Sequence, residues 1–168
     1  HAIDRLGHDP AFPVTSNWPK LRDQLIGFIE HEVGTPALLV GHSLGGAIAV
    51  HLVSEVKDAR GLIVEGTFTS MPELVSTFKW GWLPVGPLIT QRFDAAEHIK
   101  QIRAPVLVVH GSEDSLIAPE LGRSLFAQAP EPKAFVLVEG GSHHNTNALG
   151  QAQYRVALRE LFGLSGTP

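Results

Sequence analysis

Apolar residues fall along this chain in two alternating patterns. Compact runs of Val, Leu and Ile stand at 37–40 (ALLV) and within 61–67 (GLIVEGT), 105–111 (PVLVVHG) and 134–140 (AFVLVEG). Such runs lack the in-out alternation of a half-exposed strand, and they predict strands buried on both faces. Between them lie stretches with apolar residues at helical spacing. One covers 18–33, with Leu21, Leu25, Ile26, Phe28 and Ile29 on its inner side, Asn17 as a cap and Gly34 past its end; others cover 45–56, 119–128 and 148–162. Strands alternating with helices imply an α/β fold, a mostly parallel sheet of four strands with helices on its faces.

Two stretches break the rhythm. Residues 1–19 are rich in Pro, Asp and His and predict a loop, and 68–101 gathers Trp80, Trp82, Pro84 and Pro87. The second reads as a partly helical insertion above the sheet, a small apolar cap on a single domain that runs over 1–168. No internal repeat marks a second unit.

Composition narrows the function classes. The 168 residues carry 13 basic against 17 acidic side chains, with the Lys and Arg scattered. The basic stripe of a nucleic-acid binder is absent, so nucleic acid is not an expected partner. No apolar run reaches the ~18 residues of a membrane span, and the start lacks a signal-peptide pattern. Cys is absent, which removes disulfides, a thiol nucleophile and thiolate metal sites, and fits a reducing cytoplasm. The chain opens on His1, as a processed chain or a piece of a longer one would.

The chemistry concentrates after the first apolar run. Gly41-His42-Ser43-Leu44-Gly45-Gly46 follows a strand pattern and opens a small-residue helix, the setting of a G-x-S-x-G serine nucleophile. Serine on that turn sits in a strained conformation, and Gly41 and Gly45 are expected where neighbouring backbones come close. Ser43 then faces the carboxyl edge of the sheet, with the Leu44 N–H, at the helix start, aimed at an oxyanion. The bland alternative is a helix-capping Ser in a glycine turn. A phosphate loop fits less well, because the lysine before its Ser or Thr is missing.

A serine hydroxyl needs a base, and the base needs an orienting group. The run 105–111 leads into Ser112-Glu113-Asp114, and Asp114 is taken as the acid over Glu113, against the alternative that the pair only solvates a turn. The last strand leads into Gly140-Gly141-Ser142-His143-His144-Asn145, where a histidine suits a general base. Chemistry alone does not separate His143 from His144. A metal-binding pair is disfavoured by the adjacent spacing, so no metal or other cofactor is expected. His1, His8, His31, His51, His98 and His110 read as structural or solvated, and His42 as packing beneath Ser43.

Together GHSLGG, the stretch Glu65-Gly66-Thr67-Phe68-Thr69-Ser70, HGSEDSLIAP and GGSHHNT resemble the Bem-like branch of the alpha/beta-hydrolase serine hydrolases. The resemblance covers roughly 37–163. It implies the alpha/beta-hydrolase fold, no cofactor, and Ser43, Asp114 and His143 as the triad, since GGSHHNT lines up with that branch's G-x-x-H-N-D-like motif. The departure is at the front: family members usually carry further strands, and a His-Gly loop that supplies a first oxyanion donor. The chain therefore reads as N-terminally shortened, with Leu44 as its one assigned donor. A fragment, a minimal hydrolase or a weakly active relative would each look so. A shortened sheet is expected to have an edge covered by the 18–33 helix or by a second copy, hence a possible homo-oligomer.

The reaction these residues imply is acyl transfer to Ser43 and hydrolysis of a small carboxylic ester. Phe68, Trp80, Trp82 and Leu83 are candidate substrate-binding residues in an apolar roof, with plain core packing an equal alternative. Other readings are a thioesterase, peptidase or haloperoxidase-like activity on the same triad, or an inactive module acting in binding or assembly.

Overall fold

The computed structural model describes residues 18–33, 36–56, 58–76 and 93–164. Its elements run α1 (Trp18–Phe28), a π-helical turn (Ile29–Val33), β1 (Leu38–His42), α2 (Leu44–Glu55), β2 (Gly61–Glu65), α3 (Met71–Ser76), α4 (Ala95–Ile99), β3 (Val106–Gly111), α5 (Pro119–Gln128), β4 (Lys133–Val138), α6 (Thr146–Leu149) and α7 (Gln151–Phe162). The four strands form one sheet in the order β1-β2-β3-β4, and every pair is parallel. This is the parallel α/β sheet expected from the apolar runs.

Side-chain alternation divides the interior. Leu62, Val64, Val106 and Val108 point to one face, where Ala47, Val50 and Val53 of α2, Ile99 of α4 and Leu121 and Leu125 of α5 cover them. Ile63, Leu107 and Val109, one residue out of phase, meet Tyr154, Ala157 and Phe162 of α7 on the other face. Both faces of β2 and β3 are thus dry, which is why their sequences show no polar alternation. Burying each such Val or Leu contributes ~1.5–3 kcal/mol, and the sum holds the strand ends in one register.

Several expectations are refined. The 148–162 helix is two helices, α6 and α7, that meet at Gly150. A Cβ at Gly150 would lie 2.7 Å from Val138 Cγ2, so close packing on the sheet accounts for the glycine at the junction. The 18–33 helix forms, with its last turn π-helical. Its Leu25 and Ile29 pack on Leu52 of α2 and on Val56 just past its end, beside Leu39. It does not cover β1 along its length, because Val40 stays 69% exposed.

The described ends of the 68–101 insertion are fastened into the core. Phe68 is 1% exposed and packs with Leu74, Ala95 and Ile99 in the main cluster. Phe68 thus packs in the core, the alternative to an apolar roof that its aromatic character left open. Trp80, Trp82 and Leu83 lie outside the described residues.

Candidate active site

The turn between β1 and α2 has the strain its sequence implies. Ser43 adopts φ 55° and ψ −127°, a region in which a side chain is disfavoured by ~1–3 kcal/mol. Three hydrogen bonds hold it there: the Ser43 N–H donates to Glu65 O (2.9 Å), and Ser43 O accepts from Thr67 Oγ1 (2.8 Å) and from the Gly46 N–H (3.0 Å). The glycines divide the steric demand differently from the expectation. A Cβ at Gly41 would stand 2.4 Å from Gly45 O, and one at Gly46 would stand 2.7 Å from Thr67, whereas nothing lies within 4 Å at Gly45. Gly46, not Gly45, is the second tight position, because the first turn of α2 passes over Gly41 and leans on the residues after β2.

Leu44 is the first residue of α2, so its N–H is among those a helix leaves without an internal partner. Ser43 Oγ makes no side-chain cap bond to that helix, so the helix-capping alternative does not describe it. The hydroxyl has no hydrogen bond among the described residues, and it stands at the carboxyl edge of the sheet, half-buried.

Asp114 follows β3 and is buried. Its Oδ1 accepts the N–H groups of Leu116 (3.0 Å) and Ile117 (2.9 Å), and its Oδ2 accepts from His143 Nδ1 at 2.8 Å. Glu113 is exposed at the same loop, with its backbone N–H on Gly141 O (2.8 Å). His143 is buried and His144 exposed, so the two adjacent imidazoles have unlike surroundings. With Nδ1–H on the carboxylate, the His143 Nε2 is left as a bare acceptor.

The loops meet closely. A Cβ at Gly111 would come 2.1 Å from Gly141 O, and one at Gly66, which has φ 54°, would touch both His143 Nδ1 (3.3 Å) and Asp114 Oδ2 (3.4 Å). Glycine at 66 leaves room for the acid–imidazole pair. The His143 loop is stitched by Ser142 N–H to Asn145 Oδ1 (2.6 Å), Thr146 Oγ1 to Ser142 O (2.6 Å) and Gly140 N–H to Ser112 Oγ (2.9 Å).

Three further residues, to which the sequence assigned no part in the chemistry, adjoin this site. His42 does not pack beneath Ser43: it is exposed, donates Nε2–H to the His143 carbonyl at 2.9 Å, and its ring lies 4.7 Å from that of His143. It thus bridges the elbow to the base loop. Glu65 is half-buried and accepts from the Tyr154 hydroxyl; burial pushes its carboxyl above the ordinary value, against the pull of His42 and His143. His110 is wholly buried, and burial drives it below its ordinary value. Among these, Glu65 and His110 leave a sequence signal, each a lone polar side chain near the end of an otherwise apolar strand.

A cavity of about 1060 Å³ opens at the opposite end of the sheet, lined by Pro36, Val53, Arg103 and Ala104 among others. Those residues precede the strands, so the cavity is remote from Ser43. Among the described residues no three His, Asp or Glu side chains are grouped to hold a metal ion, and no helix is long and apolar enough to cross a membrane.

Against known proteins, the family model described as the alpha/beta hydrolase family matches residues 1–93, more than half of the chain. The chain belongs to the alpha/beta hydrolase family. Among its relatives, an uncharacterized protein of Mycobacterium tuberculosis is 37% identical over 65% of this chain and 38% of its own length. Protein bem46 of Schizosaccharomyces pombe is 29% identical over 76% of this chain and 44% of its own, in keeping with the Bem-like branch. The lysophosphatidylserine lipase ABHD12 of Danio rerio is 30% identical over 66% of this chain and 33% of its own. The chain thus spans less than half the length of these curated relatives. The esterase domain of a Rhodothermus marinus protein shares the hydrolase fold, with a TM-score of 0.63, 23% identity, and coverage of 85% of this chain and 68% of that one.

Proposed function

We propose that Ser43, His143 and Asp114 act in series as the triad of a serine hydrolase that cleaves small carboxylic esters. One observation carries the reading: a buried carboxylate holds an imidazole by Nδ1, leaving Nε2 to take a proton, while a serine is strained on a strand-to-helix turn at the same carboxyl edge of the sheet. Family membership supports it, and so do the lipase and esterase names of the relatives.

In the proposed reaction His143 Nε2 accepts the Ser43 proton as Oγ attacks the acyl carbon. The carbonyl π pair moves to the oxygen, where the Leu44 N–H and the α2 dipole lower its energy. Collapse breaks the ester bond, and His143 returns the proton to the departing alkoxide. Water, deprotonated by the same nitrogen, then releases the acid and restores Ser43. Throughout, Asp114 holds the ring and stabilises its charged form without taking the proton.

Turnover of p-nitrophenyl acetate and labelling by a fluorophosphonate probe test the reading. Both are expected for the protein and neither for Ser43→Ala. Absence of both from the unsubstituted protein would turn the conclusion to a binding or assembly module, while thioester or peptide turnover in place of ester turnover would reassign the substrate.

A further inference from the structure

His110 ends an otherwise apolar strand and sits directly behind the acid. Its Nε2 lies 2.8 Å from Ile117 O and 3.4 Å from Asp114 Oδ2, with the side chain fully buried. A carbonyl only accepts, so Nε2 carries the ring proton and Nδ1 is bare. That nitrogen is buried, with no hydrogen-bond partner among the described residues. A Cβ on Gly122 would stand 2.3 Å from it, so the wall there is closed. A second proton would be a buried N–H without an acceptor, which keeps the ring neutral and a permanent Nε2 donor.

We propose that His110 is a positioning residue for the Asp114–His143 pair, fixing the 114–117 turn so that the carboxylate presents Oδ2 to the imidazole. The proposal rests on the hydrolase reading above. The connection is a short relay: His110 Nε2–H to Ile117 O, Ile117 N–H to Asp114 Oδ1, and His143 Nδ1–H to Asp114 Oδ2. The turn is closed from outside by His110 and from inside by Asp114, which removes freedom about the carboxylate's side-chain torsions. Core filling alone does not call for a histidine, because burying a polar ring costs free energy that a leucine among Val106, Leu107, Val108 and Val109 would avoid. Leucine would fill the space and leave Ile117 O without its donor.

The decisive readout is the His143 tautomer, followed by heteronuclear NMR of labelled protein. The unsubstituted protein and His110→Gln, whose amide can place an N–H where Nε2–H stands, are expected to hold His143 as the Nδ1–H form. His110→Leu is expected to show a mixture with Nε2–H, and Gly122→Ala, which displaces the ring, serves as the second variant should His110→Leu fail to fold. In ester turnover, His110→Leu should lower kcat by ~10–100-fold with little change in KM, the scale of a small misplacement of catalytic groups. In an Asp114→Asn background the same substitution should cost less than about twofold, since the relay has already lost its carboxylate. An unchanged tautomer in His110→Leu or Gly122→Ala, or an equal loss in both backgrounds, would overturn the proposal. The tautomer needs no substrate, so it stays readable even if esters prove not to be hydrolysed.

Discussion

Among the described residues there are two clusters of interacting histidines, and their surroundings differ in what they offer the reaction proposed above. On the helix layer, His51 of α2 and His98 of α4 meet at 2.8 Å. Ser54 Oγ donates to His51 O and stands 3.2 Å from His98 Nδ1, so it receives that N–H. His98 Nε2 must then accept from His51 Nδ1, and the ring–ring contact is used up between two helices. At the sheet edge, His143 donates from Nδ1 to a buried carboxylate instead, and its second nitrogen makes no hydrogen bond among the described residues. Proximity of histidines is common to both. His51 also has a carboxylate near it, Glu55 Oε1 at 3.6 Å from Nε2, but of the two clusters only that of His143 holds its imidazole on a buried carboxylate at hydrogen-bond distance.

The substitutions that would break this contrast follow by size. Ser43→Ala and His143→Ala should each reduce ester turnover by ~10⁴-fold or more, measured as kcat on a p-nitrophenyl ester, while His144→Ala should stay within about threefold. Equal losses at His143 and His144 would remove the distinction. Asp114→Asn should cost ~10³–10⁴-fold, as expected when the imidazole loses its orienting group, and Glu113→Gln should leave turnover near its starting value. His42→Ala, which releases the His143 carbonyl, should cost ~10-fold or more in kcat through loosened geometry, without loss of fluorophosphonate labelling.

The smallest effect falls on the other cluster. Burial and the neighbouring His98 push His51 below its ordinary value of 6.5, against the pull of Glu55. The native state then binds fewer protons than the unfolded chain as pH falls through that range. Its contribution to stability is therefore present above pH 6.5 and lost as pH falls through the lowered value. His51→Gln should flatten that part of the stability–pH curve, read by denaturant unfolding, and leave turnover within about twofold. A large loss of turnover would place this cluster in the reaction after all.

Much of the frame was legible in the amino-acid order. Four apolar runs without polar alternation announced parallel strands, and the central two, β2 and β3, are buried on both faces as those runs imply, whereas β1 and β4 at the two ends of the strand order stay partly exposed, with Val40 at 69%. The order of the Ser43, Asp114 and His143 loops was legible because each follows a strand's carboxyl end. What escaped the reading depends on three-dimensional neighbours. Gly46 is tight and Gly45 open only because Thr67 lies over one of them. Phe68 could have been roof or core, and aromatic character serves both. His42 was assigned to the interior because its partner, the His143 carbonyl, is 101 residues away. Helix 148–162 hid its break because Gly150 answers to Val138 rather than to its own helix.

The central claim is that a hydroxyl, an imidazole and a carboxylate from three separate loops work as one unit. A crystal structure of the protein after fluorophosphonate treatment tests it most directly. The account predicts phosphorus bonded to Ser43 Oγ, with His143 Nε2 within ~2.6–3.2 Å of Ser43 Oγ or a phosphonyl oxygen and Asp114 still on Nδ1. Phosphorus on another residue, or an imidazole turned away from Ser43, would contradict it.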